Sequence, residues 1–350
     1  MGGRSKKIQN DVEKAITKLI HGGNLSRRES KKVMYDILDR QATDIQISAF
    51  LVALRMKGET ADEIAGAVDA VQSRATPIKP KYTNVVDTCG TGGDNLHTFN
   101  ISTAAALVAA GAGVAVAKHG YRSVSGKTGS ADVLRALGAN IELKPEEIEQ
   151  CLHETGIAFM FAPRLNTELK YAMGPRREIG ARTIFNILGP LTNPAHTKRQ
   201  VIGVYDKNLV RILVEVMEML GADQVMVVNG QDGMDEISIS GPTKVCELVS
   251  GRIYEYVITP ENFELDTAPL ESIQVDSVRE SKKVLLDVLR GKASAARDIV
   301  LLNAGAAIKV SGKVDSIWDG IKAARLAIES GAAREKLDRL VSFSRRVADG

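Results

Sequence analysis

Residues 84–111 read Asn84-Val-Val-Asp-Thr-Cys-Gly-Thr-Gly-Gly-Asp-Asn-Leu-His-Thr-Phe-Asn-Ile-Ser-Thr-Ala-Ala-Ala-Leu-Val-Ala-Ala-Gly111. Asn84–Cys89 is a short strand-like run, Gly90 to Gly93 hold three glycines in four positions, and Ile101–Gly111 is an alanine-rich helix. Strand, glycine loop and helix in that order open a βαβ unit, the building block of a largely parallel sheet. The same grammar recurs downstream. Gly113–Ala117 predicts a strand, followed by a glycine-serine loop and a helix at Ala131–Leu137. Ile141–Leu143 and Ile157–Phe161 predict strands around a helix that starts at Pro145. Val201–Tyr205 and Gln224–Val228 predict two more around the helix Leu209–Leu220. Shorter alternating runs from Val245 to Val257 predict an antiparallel pair, and helices resume at Ser277.

Upstream of this stretch the first 75 residues read as helices only. Ile8, Val12, Ile16, Leu19 and Ile20 keep helical spacing until Gly22-Gly23 stops the segment. Three capping boxes follow, Ser26 with Glu29, Thr43 with Gln46 and Thr60 with Glu63, each ahead of an apolar-periodic run. Thr76 to Tyr82 then carries Pro77 and Pro80 without periodicity and predicts a hinge. The expected organisation is a helical domain over 1–75, a linker at 76–82 and a mostly parallel α/β domain over 83–350.

A length of 350 residues suits two domains, and 44% hydrophobic against 25% charged residues is the balance of a globular chain. Lys plus Arg number 46 against 43 acids, a net charge of +3, which argues against a protein dedicated to wrapping nucleic acid. No run reaches the length of a membrane span, and the polar Met1–Lys7 predicts no export signal. Cys89, Cys151 and Cys246 lie far apart, with neither disulfide nor zinc-ligand spacing, so a reducing compartment, the cytoplasm, is expected.

Ligands of open parallel sheets sit beyond the carboxyl ends of the strands, which directs attention to three loops. In the first, Asp87 to Asp94, the glycines let backbone amides approach an anion, and Ser102 and Thr103 stand where a helix N-terminus adds its dipole. The flanking aspartates, with Thr98 and Asn100, point to a phosphate site with an associated metal rather than a plain tight turn. The second, Lys118 to Asp132, holds three cations, four hydroxyls besides Tyr121, and three glycines, which suits a polyanionic substrate. Gly126-Lys127-Thr128 is not a nucleotide P-loop, because the required glycine falls on Tyr121. The dinucleotide pattern fails likewise, with Asn95 where glycine belongs. The third loop, Gly230 to Glu236, ends in paired carboxylates, oxygen ligands of the kind that hold Mg²⁺ together with substrate phosphates. His119 is a more natural structural residue than a base. No serine or cysteine has a plausible activating partner.

Taken together, Gly90-Thr-Gly-Gly-Asp94, Asn100-Ile-Ser-Thr103, Lys118-His-Gly120, Ser125 to Asp132, Arg182-Thr-Ile-Phe-Asn-Ile-Leu-Gly-Pro-Leu-Thr-Asn-Pro194 and Asp235-Glu236 resemble the anthranilate phosphoribosyltransferase family in order and spacing. The resemblance implies a small helical domain, completed by helices around residues 165–190, hinged to a large α/β domain as in the related pyrimidine nucleoside phosphorylases. It implies a homodimer through the helical domains, and transfer of the phosphoribosyl group from phosphoribosyl pyrophosphate to the amine of anthranilate, a step of tryptophan biosynthesis. By the same resemblance the donor contacts are Gly90, Gly93, Asp94, Thr98, Asn100, Ile101, Ser102, Thr103, Lys118, His119, Gly120, Tyr121, Arg122, Ser123, Val124, Ser125, Gly126 and Ser130. Ser102, Asp235 and Glu236 are its implied ligands for Mg²⁺, as two ions, and Gly90, Tyr121 and Arg176 its implied anthranilate contacts.

Two departures fall on the acceptor side. The family usually reads Lys-His-Gly-Asn-Arg, where this chain has Tyr121, and commonly has His-Pro where Asn166-Thr167 stand. They leave open anthranilate or another arylamine as acceptor. A pyrimidine nucleoside phosphorylase would use orthophosphate, against which the acidic pair speaks. A non-catalytic nucleic-acid-binding relative would have lost the donor motifs.

Overall fold

The computed structural model describes residues 10–122 and 128–347. The chain forms two units, Met1–Ala75 with Asn166–Leu188, and Thr76–Leu165 with Gly189–Gly350. It passes between them at three places rather than one.

The first unit holds the helices Asp11–Ile20, Arg27–Leu38, Asp44–Lys57 and Ala61–Arg74, with Met173–Ile179 in the returning segment. All three capping boxes form: Ser26, Thr43 and Thr60 accept from the third helical amide, and Glu29, Gln46 and Glu63 reach back. Each cap contributes about 1 kcal/mol. Glu63 does more. It is fully buried, and also accepts from the Leu25 amide at 2.8 Å and from Lys57 Nζ at 2.9 Å, so its charge is paired.

In the second unit, among the described residues, one seven-stranded sheet runs in the order β3-β2-β1-β4-β5-β6-β7. The strands are β1 Val85–Thr88, β2 Ala115–Gly120, β3 Ile157–Phe161, β4 Arg199–Gly203, β5 Gln224–Gly230, β6 Thr243–Val249 and β7 Arg252–Ile258. β1 to β5 pair in parallel, and β6 and β7 are antiparallel. The helix Ile101–Gly111 is apolar on every side because it is enclosed on every side. Its small side chains admit close neighbours, and a Cβ on Gly111 would sit 2.6 Å from the Ala333 amide nitrogen.

Ile141–Leu143 is not a strand. Ile141 and Leu143 are buried and Glu142 is exposed, which gives the alternation, but side chains rather than a ladder take up the backbone. The Asn140 amide donates to Ser344 Oγ, that of Glu142 to Asn140 Oδ1 and that of Lys144 to Glu147 Oε2. β2 lies later than its apolar run suggests, so Lys118, His119 and Gly120 belong to the strand and not to the loop after it. The proline stretch 76–82 has no regular element, yet its Thr76 and Ile78 amides donate to Leu165 O and Pro194 O.

Candidate active site

The loops after β1, β2 and β5 leave the same edge of the sheet. In the first, Gly92, Gly93, Asn95 and His97 all have left-handed backbones, with φ of 67°, 79°, 59° and 56°. Left-handed residues in such a loop can turn successive amides towards one point, the geometry of an anion-receiving hollow. Asn95 and His97 adopt that conformation at a steric cost that the next residues offset. Phe99 donates to Ile273 O, Val275 donates to His97 O, and Thr98 bridges Gln274.

The acidic pair reaches this loop from β5. Asp235 Oδ2 accepts the Gly92 amide at 2.7 Å, and the Ser102 amide hydrogen-bonds Glu236. A Cβ on Gly90 would lie 2.3 Å from Asp235 Oδ2, so glycine at 90 is required by the carboxylate as much as by any anion. Asp94 lies close enough to Asp235 for its charge to be felt there. Burial first, and then repulsion from neighbouring carboxylates, raises both Asp235 and Glu236 above the ordinary range, although each side chain keeps some open surface. Lys118 acts against this at Glu236; its Nζ donates to Thr88 O at 2.5 Å and to Ser102 Oγ at 3.1 Å. Carboxyl groups gathered beside Lys118, two of them pushed up by burial and by one another, mark a place suited to a divalent cation. Among the described residues no three His, Cys, Asp or Glu side chains form a ready-made cage. Mg²⁺ held by one or two carboxylates and substrate phosphates does not need one.

Asn100 begins the helix Ile101–Gly111 without capping it. Its Oδ1 and the Thr103 hydroxyl are buried with no hydrogen-bond partner. Such orphans are costly unless a ligand or water completes them. Ile101, Thr103, Lys118 and His119 are themselves buried.

At the end of β2, His119 donates its amide to Asp87 Oδ1 at 3.1 Å, and its Nδ1 meets Gly189 O at 3.1 Å. Burial pushes the imidazole down to about 4, so it is neutral, and the Nδ1–H tautomer fits the carbonyl. That is a structural histidine. Asp87, buried and raised to about 6 mainly by that burial, also accepts from Asn193 Nδ2 at 2.7 Å and Gln200 Nε2 at 3.4 Å. The Tyr121 ring stands edge-on to His119 at 5.7 Å, and its carbonyl accepts from Ser130 Oγ and the Ala131 amide. Gly120 has no room for a side chain, since its Cβ would sit 2.3 Å from Ser130 Oγ. The strand end and the start of the helix Ser130–Leu137 are thereby drawn together.

The structure thus gathers Gly90, Asp94, Ser102, Lys118, Asp235 and Glu236 in one group, and His119, Gly120, Tyr121 and Ser130 in a second. Arg122 turns towards the Phe161 ring and Glu142. Ser123, Val124, Ser125 and Gly126 lie outside the described residues. Arg176 belongs to the helical unit, where it contacts Met173 Sδ at 3.5 Å and the Phe185 ring. Sequence reasoning passed over Gly203 and Asn303. A Cβ on Gly203 would fall 1.5 Å from Asp235 O, and Asn303 bonds the backbone of Ile237. Their signals were a glycine in an apolar strand and a polar residue in an otherwise apolar helix.

Two family models match the chain: the helical bundle domain of a glycosyl transferase family over residues 13–75, and the a/b domain of that family over residues 82–334. An anthranilate phosphoribosyltransferase of Cellvibrio japonicus is 49% identical over 338 residues, spanning 95% of this chain and 98% of the relative. The crystal structure of the anthranilate phosphoribosyltransferase of Thermus thermophilus superposes with a TM-score of 0.90 at 38% identity, over 95% of this chain and 99% of that one. That of Saccharomyces cerevisiae, in complex with PRPP and Mg, superposes with a TM-score of 0.88 at 26% identity, over 96% and 98%.

Proposed function

The chain belongs to the anthranilate phosphoribosyltransferase family, and from that membership we propose how its residues carry out the family's reaction. The 5-phosphoribosyl group of phosphoribosyl pyrophosphate passes to the amine of anthranilate, giving N-(5-phosphoribosyl)anthranilate and pyrophosphate, the second step of tryptophan biosynthesis from chorismate. The anomeric C–O bond breaks, a C–N bond forms, and the nitrogen gives up one proton.

The observation that carries this reading is the acid cluster Asp94, Asp235 and Glu236 facing the left-handed glycine loop, a cation place beside an anion place. Ser102, Asp235 and Glu236 would hold Mg²⁺, as two ions, which would neutralise charge on the departing pyrophosphate. The Mg in the yeast relative's complex supports the metal itself. Gly90, Gly93 and Asp94 line the donor with Thr98, Asn100 and the start of the helix Ile101–Gly111. Lys118 to Gly126 and Ser130 complete it. Backbone amides and Lys118 stabilise charge as the bond breaks, and in-line placement supplies much of the remaining acceleration. An aromatic amine needs no covalent protein nucleophile. By the family resemblance, Gly90, Tyr121 and Arg176 would be the contacts of anthranilate, the guanidinium suiting its carboxylate.

A second copy covers the helical unit. Ile45 is 82%, Val52 40% and Met56 84% exposed on one face of the helix Asp44–Lys57, a large apolar surface for a monomer to leave in water. Three buried free thiols support a reducing compartment such as the cytoplasm. Among the described residues no helix is long and apolar enough to cross a membrane.

The test is a steady-state assay with phosphoribosyl pyrophosphate and Mg²⁺, comparing anthranilate with a panel of arylamines. Anthranilate is expected to give the highest kcat/KM. A different amine preferred by a wide margin overturns the acceptor, and absence of any N-glycosidic product overturns the reaction.

A further inference from the structure

Gly203 and Asn303 stand outside every residue set assigned so far, and both act on the backbone that carries the acidic pair. Gly203 ends β4 with an ordinary backbone conformation, so no left-handed turn demands a glycine there. What excludes a side chain is the carbonyl of Asp235, 1.5 Å from where a Cβ would be. Gly90, in the loop after β1, leaves room for the Asp235 carboxylate, whose Oδ2 would lie 2.3 Å from a Cβ there.

Asn303 sits within the helix Ala295–Val310, 2% exposed, among Val300, Leu301, Leu302, Ala304, Ala306 and Ala307, which are all fully buried. Asparagine is a poor helix-interior residue, and burying its amide is costly unless every group is bonded. Here every group is. Oδ1 accepts the Ile237 amide at 2.9 Å, while Nδ2 donates to Ile237 O and to Ile299 O, each at 2.9 Å. The side chain grips both sides of Ile237 as a neighbouring strand would, directly after Glu236. An apolar residue fits the surroundings of position 303 equally well but leaves the Ile237 amide and carbonyl unpaired in the core.

We infer that Gly203 and Asn303 are positioning residues for the acidic pair, fixing the Asp235–Ile237 backbone at two points and so setting the affinity for a divalent cation. The inference rests on the reading of Asp235 and Glu236 as cation ligands. A ligand pair held to a fraction of an ångström binds an ion without first being ordered, and residues that orient ligands typically govern metal affinity by about 10–100-fold.

The experiment measures Mn²⁺ binding to the full-length chain by electron paramagnetic resonance, with pyrophosphate present and no turnover. Glu236→Ala is expected to abolish the tight Mn²⁺ signal. Asn303→Asp, which keeps an acceptor for the Ile237 amide but loses both donations, and Gly203→Ala should each weaken Mn²⁺ about tenfold. Thermal melts verify folding, and the KM for anthranilate stays within about twofold. If Asn303→Asp does not fold, Asn303→Gln makes the same comparison with the amide on a longer arm. Wild-type Mn²⁺ affinity in folded Gly203 and Asn303 variants, with Glu236→Ala defective, overturns this inference and leaves the ligand reading standing. Wild-type affinity in Glu236→Ala overturns the ligand reading itself.

Discussion

Asn193 Nδ2 donates to the buried Asp87 carboxylate at 2.7 Å, and the same side chain joins Ala117 O and the Ala195 amide. One amide thus connects β1, β2 and the segment that enters β4, while His119 and Gln200 supply Asp87 with further donors. Asn193→Ala leaves a buried carboxylate short of its best donor and should cost about 3 kcal/mol, read from the urea midpoint. Asp87→Asn removes the charge but presents an amide to the donors around it, and should cost less, about 1–2 kcal/mol. A midpoint unchanged by Asn193→Ala contradicts this account.

Glu236→Ala is expected to lower kcat at least a hundredfold at saturating donor and Mg²⁺, with unchanged circular dichroism, since a charge-stabilising group is typically worth about 10²–10³. Near wild-type turnover at limiting Mg²⁺ removes Glu236 from the mechanism.

Protonation gives an independent reading of the same cluster. Asp235 and Glu236 have raised affinities for protons in the fold, so the folded chain holds protons that the unfolded chain releases above about pH 4. Their effect on the metal-free chain is therefore stability lost as pH rises. His119, held at about 4 by burial, works the other way and adds stability between roughly pH 4 and 6.5. Asp87, at about 6, completes its contribution by about pH 7. Above that the acid pair remains, so the melting temperature should fall from about pH 7 to 8.5, and Glu236→Gln should flatten the slope. Mg²⁺ displaces those protons, and its affinity should rise over the same interval. An equal slope in Glu236→Gln counts against the assignment.

Arg176→Ala should raise the KM for anthranilate about tenfold or more and leave that for phosphoribosyl pyrophosphate within about twofold, because the proposed pairing involves the acceptor's carboxylate alone. Equal effects on both constants indicate a structural role beside Phe185 instead.

Tyr121→Asn replaces a ring packed edge-on to His119 by an amide able to donate and accept at short reach. Activity with anthranilate should be kept and its KM held or lowered. Loss of anthranilate turnover shows that the ring itself is part of the acceptor site.

The alternation of strands and helices was legible because a buried parallel strand and a capped helix differ in period and punctuation, as Ile157–Phe161 and Thr60 with Glu63 illustrate. Ile141–Leu143 misled because period two records which side faces the core, whereas a strand also requires a backbone partner. The start of the second loop misled in the opposite direction. Lys118 and His119 look like loop residues until Thr88 O, Ser102 Oγ and Gly189 O are found waiting for them. The glycine loop, Ser102 and the acidic pair could be named from their types and spacing. Asn303 could not be joined to Glu236, because nothing local records that a helix far downstream closes on Ile237.

The sheet order has a consequence for the chain as it leaves the ribosome. β1, β2 and β3 are complete by residue 161, yet β1 meets its other neighbour only when residues 199–203 have been made. Until then the nascent sheet presents an open apolar edge, a template for pairing with another chain. Asp87 beside that edge lacks its Asn193 and Gln200 donors meanwhile and has the His119 amide within reach. A charge on an unfinished edge discourages mispairing, so the residue that later knits three segments together first serves as their gatekeeper.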